Sequence, residues 1–363
     1  MAALVWGIAA GLVRMGWAVP VPHPEHLVLH GPLMISGFLG TVIALERAVA
    51  HARAWSYLAP ALSAAGVATL LFAPASPVGP ALLTLGSAAL VAVYAAIALR
   101  HPSLHLHAMA IGAVFWLAGN ALWLSGWPGF RVVFWWIGFP VLTIAGERLE
   151  LTRLLPPTRF GRAAFVVIAA ALAAGATLAS ASPSEAPRVA GAGLLALSAW
   201  LLRYDIARRT IRLGGLARFT AACLLSGYVW LGAAGALALV HSGEFSGPIY
   251  DAVLHAVLVG FVFAMIFGHA PIIFPAVLGG RAVFRPTFYA HLVLLQASVA
   301  LRVAGDLSLA WGDGGWGRGR AWGGALGAAA ILVFLQATVR SLRFNEQGGA
   351  APHPLEPPAA PRK

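Results

Sequence analysis

The chain is short of charge, shorter still of acid, and almost without cysteine. Only 10% of its 363 residues are Asp, Glu, Lys or Arg, while 60% are hydrophobic. A soluble domain carries about 25% charged residues, so this supply cannot clothe a water-soluble surface. The one cysteine, Cys223, lies inside an apolar run, which excludes a disulfide framework and a thiolate metal site. Acidic residues number 12 against 24 basic ones, for a formal net charge of +12. That excess invites a nucleic-acid reading. In a chain this apolar, arginine more simply records membrane topology, and no nucleic-acid partner is expected.

Long apolar runs are what the sequence has in abundance. A membrane-spanning helix needs about 20 mostly apolar residues. Such runs lie near 2–19, 27–50, 54–74, 78–99, 104–125, 130–151, 161–181, 187–203, 215–241, 249–270, 286–310 and 321–341. The pattern predicts an all-α polytopic integral membrane protein of about twelve transmembrane helices, forming one domain over 1–345. A Pro-rich stretch over 346–363 reads as a disordered cytoplasmic tail. The first run has a second reading as a signal peptide. Arg14 interrupts it and no basic segment precedes it, so it is taken as the first span.

The basic residues give this parse a direction. Helix ends and loops after the even-numbered runs hold 18 of the 24 Lys and Arg, and the opposite side holds 4: Arg131, Arg188, Arg318 and Arg320. Arg14 and Arg302 fall within runs. Cytoplasmic loops carry the Lys/Arg excess, so both termini are expected in the cytoplasm, in a bacterial inner membrane. One missed span in the middle would destroy the alternation.

Sidedness then assigns each histidine a depth. His23, His26 and His30 approach the second run from the outer side in HPEHLVLHGPLMISGFLG; His241 and His255 belong to the same side. His51, His101, His105, His107, His269 and His291 fall on the inner side, and His353 in the tail. His30 and His255 each follow a leucine and precede small residues, in LHGPLMISGF and LHAVLVGF. Gly31 and Gly37, or Ala256 and Gly260, would leave room beside the imidazole for a flat macrocycle or for close helix packing. Neutral imidazole is the commonest protein metal ligand and a usual axial ligand of haem, so His30 and His255 are cofactor-ligand candidates. The bland alternative is a histidine resting in the headgroup region, the reading preferred for His23, His26, His51, His101 and His241. His269 and His291 form a second candidate metal pair near the inner face, where Pro271 and Pro275 are expected to end the tenth helix. His107, in LHAMAIG, repeats the pattern weakly at the inner end of the fifth run. His255 and His269 are fourteen residues apart, about 21 Å along a helix, and cannot share a metal ion.

Glu46–Arg47 and Glu147–Arg148, with Glu150, occupy similar inner-end positions. Adjacent helix residues do not face one another, so each Glu is expected to pair with an Arg on another helix. A structural ion-pair belt and a proton path are the two readings. Arg302 and Asp306, four apart, can pair on one face. Asn120, Trp123 and Tyr228 are candidate cavity-lining groups.

The histidine-rich approach to the second run, the Gly37–Phe38 pair that follows, and the LHA and GHA strings at His255 and His269 together resemble the NnrS family. Those are haem- and copper-associated bacterial membrane proteins connected with nitric oxide stress. A looser topological likeness is to the haem-copper oxidase catalytic subunit, whose second and tenth helices supply low-spin haem ligands. Its copper histidines come from the sixth and seventh helices, which have none here. The resemblance implies haem ligation by His30 and His255 and metal, such as copper, at His269 and His291. The expected function is a haem- or copper-binding membrane protein with a redox or nitric-oxide-related role and a redox partner or respiratory complex. The rivals are a proton-coupled secondary transporter and a cofactor-free assembly factor of a respiratory complex.

Overall fold

A computed structural model describes residues 1–21, 23–152, 156–182, 184–240, 246–278, 281–312 and 315–343. His241, His353 and the Pro-rich tail lie outside them.

Each of the twelve apolar runs lies on a helix. They are α1 (Ala2–Arg14), α2 (Pro32–His51), α3 (Ala54–Phe72), α4 (Val78–Arg100), α5 (Leu104–Leu124), α6 (Gly129–Leu151), α7 (Arg159–Ala181), α8 (Ala186–Tyr204), α9 (Gly215–Val240), α10 (Gly247–His255, Ala256–Phe263 and Ala264–Leu278), α11 (Phe288–Trp311) and α12 (Gly317–Ser341). Helices are the natural outcome, because in lipid every backbone polar group must be satisfied within its own segment. Ten are long and apolar enough to cross a membrane. The two others are α8 and the 13-residue α1, which is about 20 Å long by its rise.

Boundaries follow local chemistry. Ser103 and Thr158 cap α5 and α7, accepting from the amides of Leu106 and Gly161. Gly312, at φ +81°, closes α11 in a left-handed conformation that costs glycine nothing. Neighbouring helices form antiparallel hairpins, and α1 packs on both α2 and α12, so the first and last helices meet. Glycines permit the closest approaches: a Cβ on Gly175 would lie 2.7 Å from the Ala190 amide nitrogen, and one on Gly323 2.6 Å from that of Arg302. Small residues at helix contacts are the usual membrane solution. A two-residue antiparallel bridge joins Arg281–Ala282 to Leu342–Arg343.

Three expectations about polar and breaking residues are corrected. The tenth helix does not end at its prolines but continues through Pro271 and Pro275 to Leu278. Membrane helices tolerate proline where neighbours supply hydrogen bonds, and here the Thr220 hydroxyl donates to the Gly268 carbonyl at 3.0 Å. Asn120 lines no cavity. It is fully buried, accepting from Ser36 (2.7 Å) and Trp136 (3.0 Å) and donating to Leu83 O (3.2 Å) and Ser87 Oγ (3.3 Å). A polar network satisfied at every member ties α2, α4, α5 and α6 together. Tyr228 is also fully buried, while Trp123 packs on Trp136.

Candidate functional site

Two histidines from distant parts of the chain meet between α1, α2, α10, α11 and α12. The rings of His30, in the turn opening α2, and His255, on α10, have centroids 6.4 Å apart and planes inclined by 12°. His30 Nδ1 is 2.7 Å from Gly7 O on α1, and His255 Nδ1 is 2.8 Å from Asp251 O one turn earlier on α10. A carbonyl only accepts, so each Nδ1 carries its proton and each Nε2 keeps a free lone pair. Fixing one ring nitrogen on a backbone carbonyl is how metal-ligating imidazoles are ordinarily oriented.

Both helices adopt π-helical geometry directly after the histidine, over Pro32–Leu39 and over Ala256–Phe263. Such wide turns are rare and frequent at functional sites. They bring the two imidazoles to a shared cavity of about 170 Å³. Much of its wall is apolar (Ile35, Leu258, Phe263), and Met15 and Met34 also line it. The room does not come from the glycines expected to provide it. Gly37 is packed on Val67 and Gly260 on Trp230. Gly11 on α1 and Gly323, Gly324 and Gly327 on α12 line the cavity instead, while Gly31, where a Cβ would meet open space, does not.

Charge is concentrated at one end of this cavity. Arg302 binds Asp251 through Nη2 (2.6 Å) and Nε (3.2 Å), and its Nη1 donates to Met15 Sδ at 2.7 Å. Arg320 sits 3.3 Å from Asp251 and 2.9 Å from Asp306, the latter an ion pair without hydrogen-bond alignment. The expected Arg302–Asp306 pair is thus a minor contact at 4.0 Å, because the carboxylate of Asp251 reaches Arg302 more directly. Asp251 Oδ1 also lies 3.4 Å from His255 Nδ1. Asp251, Arg320, Met15 and the α12 glycines escaped the sequence reading. Only the DAVLH spacing, which puts Asp251 one helical turn before His255, was there to be noticed.

Both inner candidates keep buried ring nitrogens without a hydrogen-bond partner. His269 donates from Nδ1 to Met265 O at 2.7 Å, and its Nε2 is buried without a partner. His291 is 1% exposed, with ring contacts to Phe219, Phe267, Phe288 and Phe334 and neither nitrogen bonded. Among the described residues no group of three or more His, Cys, Asp or Glu is placed to hold a metal ion. His107 is exposed and bonded only to Ser103 O of its own turn, at 2.6 Å. On the outer side His26 is enclosed by the protein. It is 1% exposed, bonded to Leu71 O at 3.2 Å and in contact with Trp6, because the short helix Pro24–Leu27 folds it inward.

The inner ion-pair belt forms with altered partners. Arg47 bridges α2 and α6 by reaching Glu147 at 3.4 Å, as expected, but it also contacts its neighbour Glu46 at 3.5 Å. A long guanidinium can curl back where a short side chain could not. Arg148 pairs with Asp205 at 3.9 Å, beyond α8, and Glu150 with His105 at 3.9 Å.

Fold and site together define an all-α polytopic membrane protein with a two-histidine cavity between its first and last helices. The chain belongs to the family described as a domain of unknown function (DUF8744), whose profile matches residues 1–343. No curated protein and no solved structure matches it.

The donor set and spacing suit a single metal atom. Metal–nitrogen bonds of about 2 Å on each side, plus about 1 Å from each nitrogen to its ring centre, put two facing imidazoles about 6 Å apart between centroids. The volume is tighter. Sites enclosing a drug-sized molecule occupy about 300–1,000 Å³, so a porphyrin enters only if Met15 and Met34 swing aside, which unbranched methionines do readily.

Proposed function

We propose that the protein is a haem-binding protein of the bacterial cytoplasmic membrane, with His30 and His255 as axial ligands, serving a redox or nitric-oxide-related role. The observation that carries this reading is the pair of nearly parallel imidazoles with centroids 6.4 Å apart, each oriented by a carbonyl on Nδ1. The resemblance of the His30 and His255 segments to the NnrS family supports it. Haem iron held by two imidazoles exchanges single electrons, at a potential set by axial ligands, burial and hydrogen bonding. The chain contributes the orientation: Gly7 O fixes one ring, Asp251 the other, and the apolar walls exclude water. Arg302 and Arg320 hold Asp251 in place.

A second reading is favoured by the cavity's size and by its two thioethers. Imidazole and methionine suit copper(I), and Met15 and Met34 line the same cavity as the two histidines. Optical spectroscopy and metal analysis of the detergent-purified chain separate the two. The haem reading expects a Soret band in the wild type that is lost in both His30→Ala and His255→Ala. Copper without a Soret band favours the second. A folded, colourless and metal-free protein, from cells supplied with haem and copper, sinks both and leaves a transporter or assembly factor.

A further inference from the structure

A second, larger cavity of about 730 Å³ opens at the opposite end of the molecule, where α2, α4, α5 and α6 terminate. By the arginine asymmetry this end faces the cytoplasm. Its polar lining is Arg47, His51, Arg100, His101, His105 and Ser103, with Glu150 as the one acid. The charges are not equally engaged. Arg47 is drawn to Glu46 and Glu147, yet its Nε is buried with no partner. Glu150 lies 3.9 Å from His105. His51 spends Nδ1 on Ser56 Oγ at 2.6 Å, which leaves Nε2 for another partner. Arg100 is exposed and, among the described residues, makes no ion pair; His101 beside it is exposed too.

The result is a wide polar recess with an uncommitted guanidinium, two imidazoles, a hydroxyl and an orphaned N–H. Guanidinium groups are suited to phosphate because their planar fork matches its oxygens, and basic pockets between helices on the cytoplasmic side take anionic headgroups. A cation would find one carboxylate there, already near an imidazole. We propose that this cavity binds a phosphate group, as free phosphate or as the headgroup phosphate of an anionic lipid, with Arg100 and His101 as its principal contacts.

The test uses the full chain and does not depend on any cofactor. Binding of inorganic phosphate is measured by calorimetry in detergent. Binding of lipid is read from thermal stabilisation in phosphatidylcholine nanodiscs with graded phosphatidylglycerol. The variants are Arg100→Gln/His101→Gln, both exposed positions that leave the fold intact, and Arg188→Gln, which removes a charge from the opposite side. Saturable binding in either arm is expected, weakened about tenfold in the double variant, unchanged in Arg188→Gln and diminished by salt. A response to phosphate alone identifies a soluble anion, and one to phosphatidylglycerol alone identifies lipid. No saturable response in either arm, or equal affinity in wild type and double variant, overturns the proposal. The haem spectrum is recorded in parallel. Its presence or absence leaves this result unaffected, so the two readings fail separately.

Discussion

Gly11 shows how much of the outer site rests on an absent side chain. A Cβ there would lie 2.9 Å from His30 Cε1 and 3.1 Å from Nδ1. Gly11→Val is therefore expected to push the imidazole from its place, at a cost of about 1–3 kcal/mol for overpacking. A lowered melting temperature and loss of bound metal check this together. If the variant melts lower but still binds metal as wild type does, the ring is not positioned by α1. Asp251 is the other decisive residue. Truncation to Ala leaves Arg302 with Met15 Sδ and a 4.0 Å contact to Asp306, while Arg320 keeps Asp306, and removing one partner of a buried pair costs about 3–5 kcal/mol. Asp251→Ala should thus destabilise strongly, and the Asp251→Ala/Arg302→Ala double variant by less than the sum of the singles. Strict additivity in that cycle would deny the contact energetic weight. Of these residues His30, His255 and Arg302 were legible in the sequence, the last with Asp306 rather than Asp251 as its expected partner. An imidazole in an apolar helix is conspicuous by type, whereas Asp251 becomes the shared partner of Arg302 and Arg320 only when three helices converge.

The histidines reach one cavity because α2 and α10 widen into π-helix directly after them. Nothing in PLMISGFL or AVLVGFVF announces this. Both strings are apolar on nearly every side, so hydrophobic periodicity cannot distinguish a wide turn from an ordinary one. The consequence is testable. Deleting one residue within Ala256–Phe263 should restore regular helix and change the rotation of His255 relative to the following turns. Metal binding is expected to vanish while helical content by circular dichroism is kept. Retention of metal would mean that the π-helical register is incidental. The same lack of periodicity explains why Asn120 and Tyr228 were taken for cavity groups. A polar residue in a membrane helix signals function or a satisfied network, and only neighbouring helices reveal which.

For the molecule as a whole, alternating arginine places His101 and Arg208 on one side of the membrane and Arg188 on the other. Single cysteines at these positions, in a Cys223→Ser background, should report it. A membrane-impermeant maleimide applied to intact cells is expected to label position 188 and to spare 101 and 208. Labelling of all three from one side would refute the twelve-span topology.

The helical segments were legible in the sequence alone, because lipid admits only apolar, internally bonded segments. These are properties of each segment taken singly, and composition expresses them directly. Which histidines meet, which acid holds which arginine, and where a cavity opens were decided by packing. His30 and His255 lie 225 positions apart in the chain, and their encounter depends on glycines of α1 and α12 that contact neither helix in sequence. Close packing is a relation among helices, and no single helix carries it.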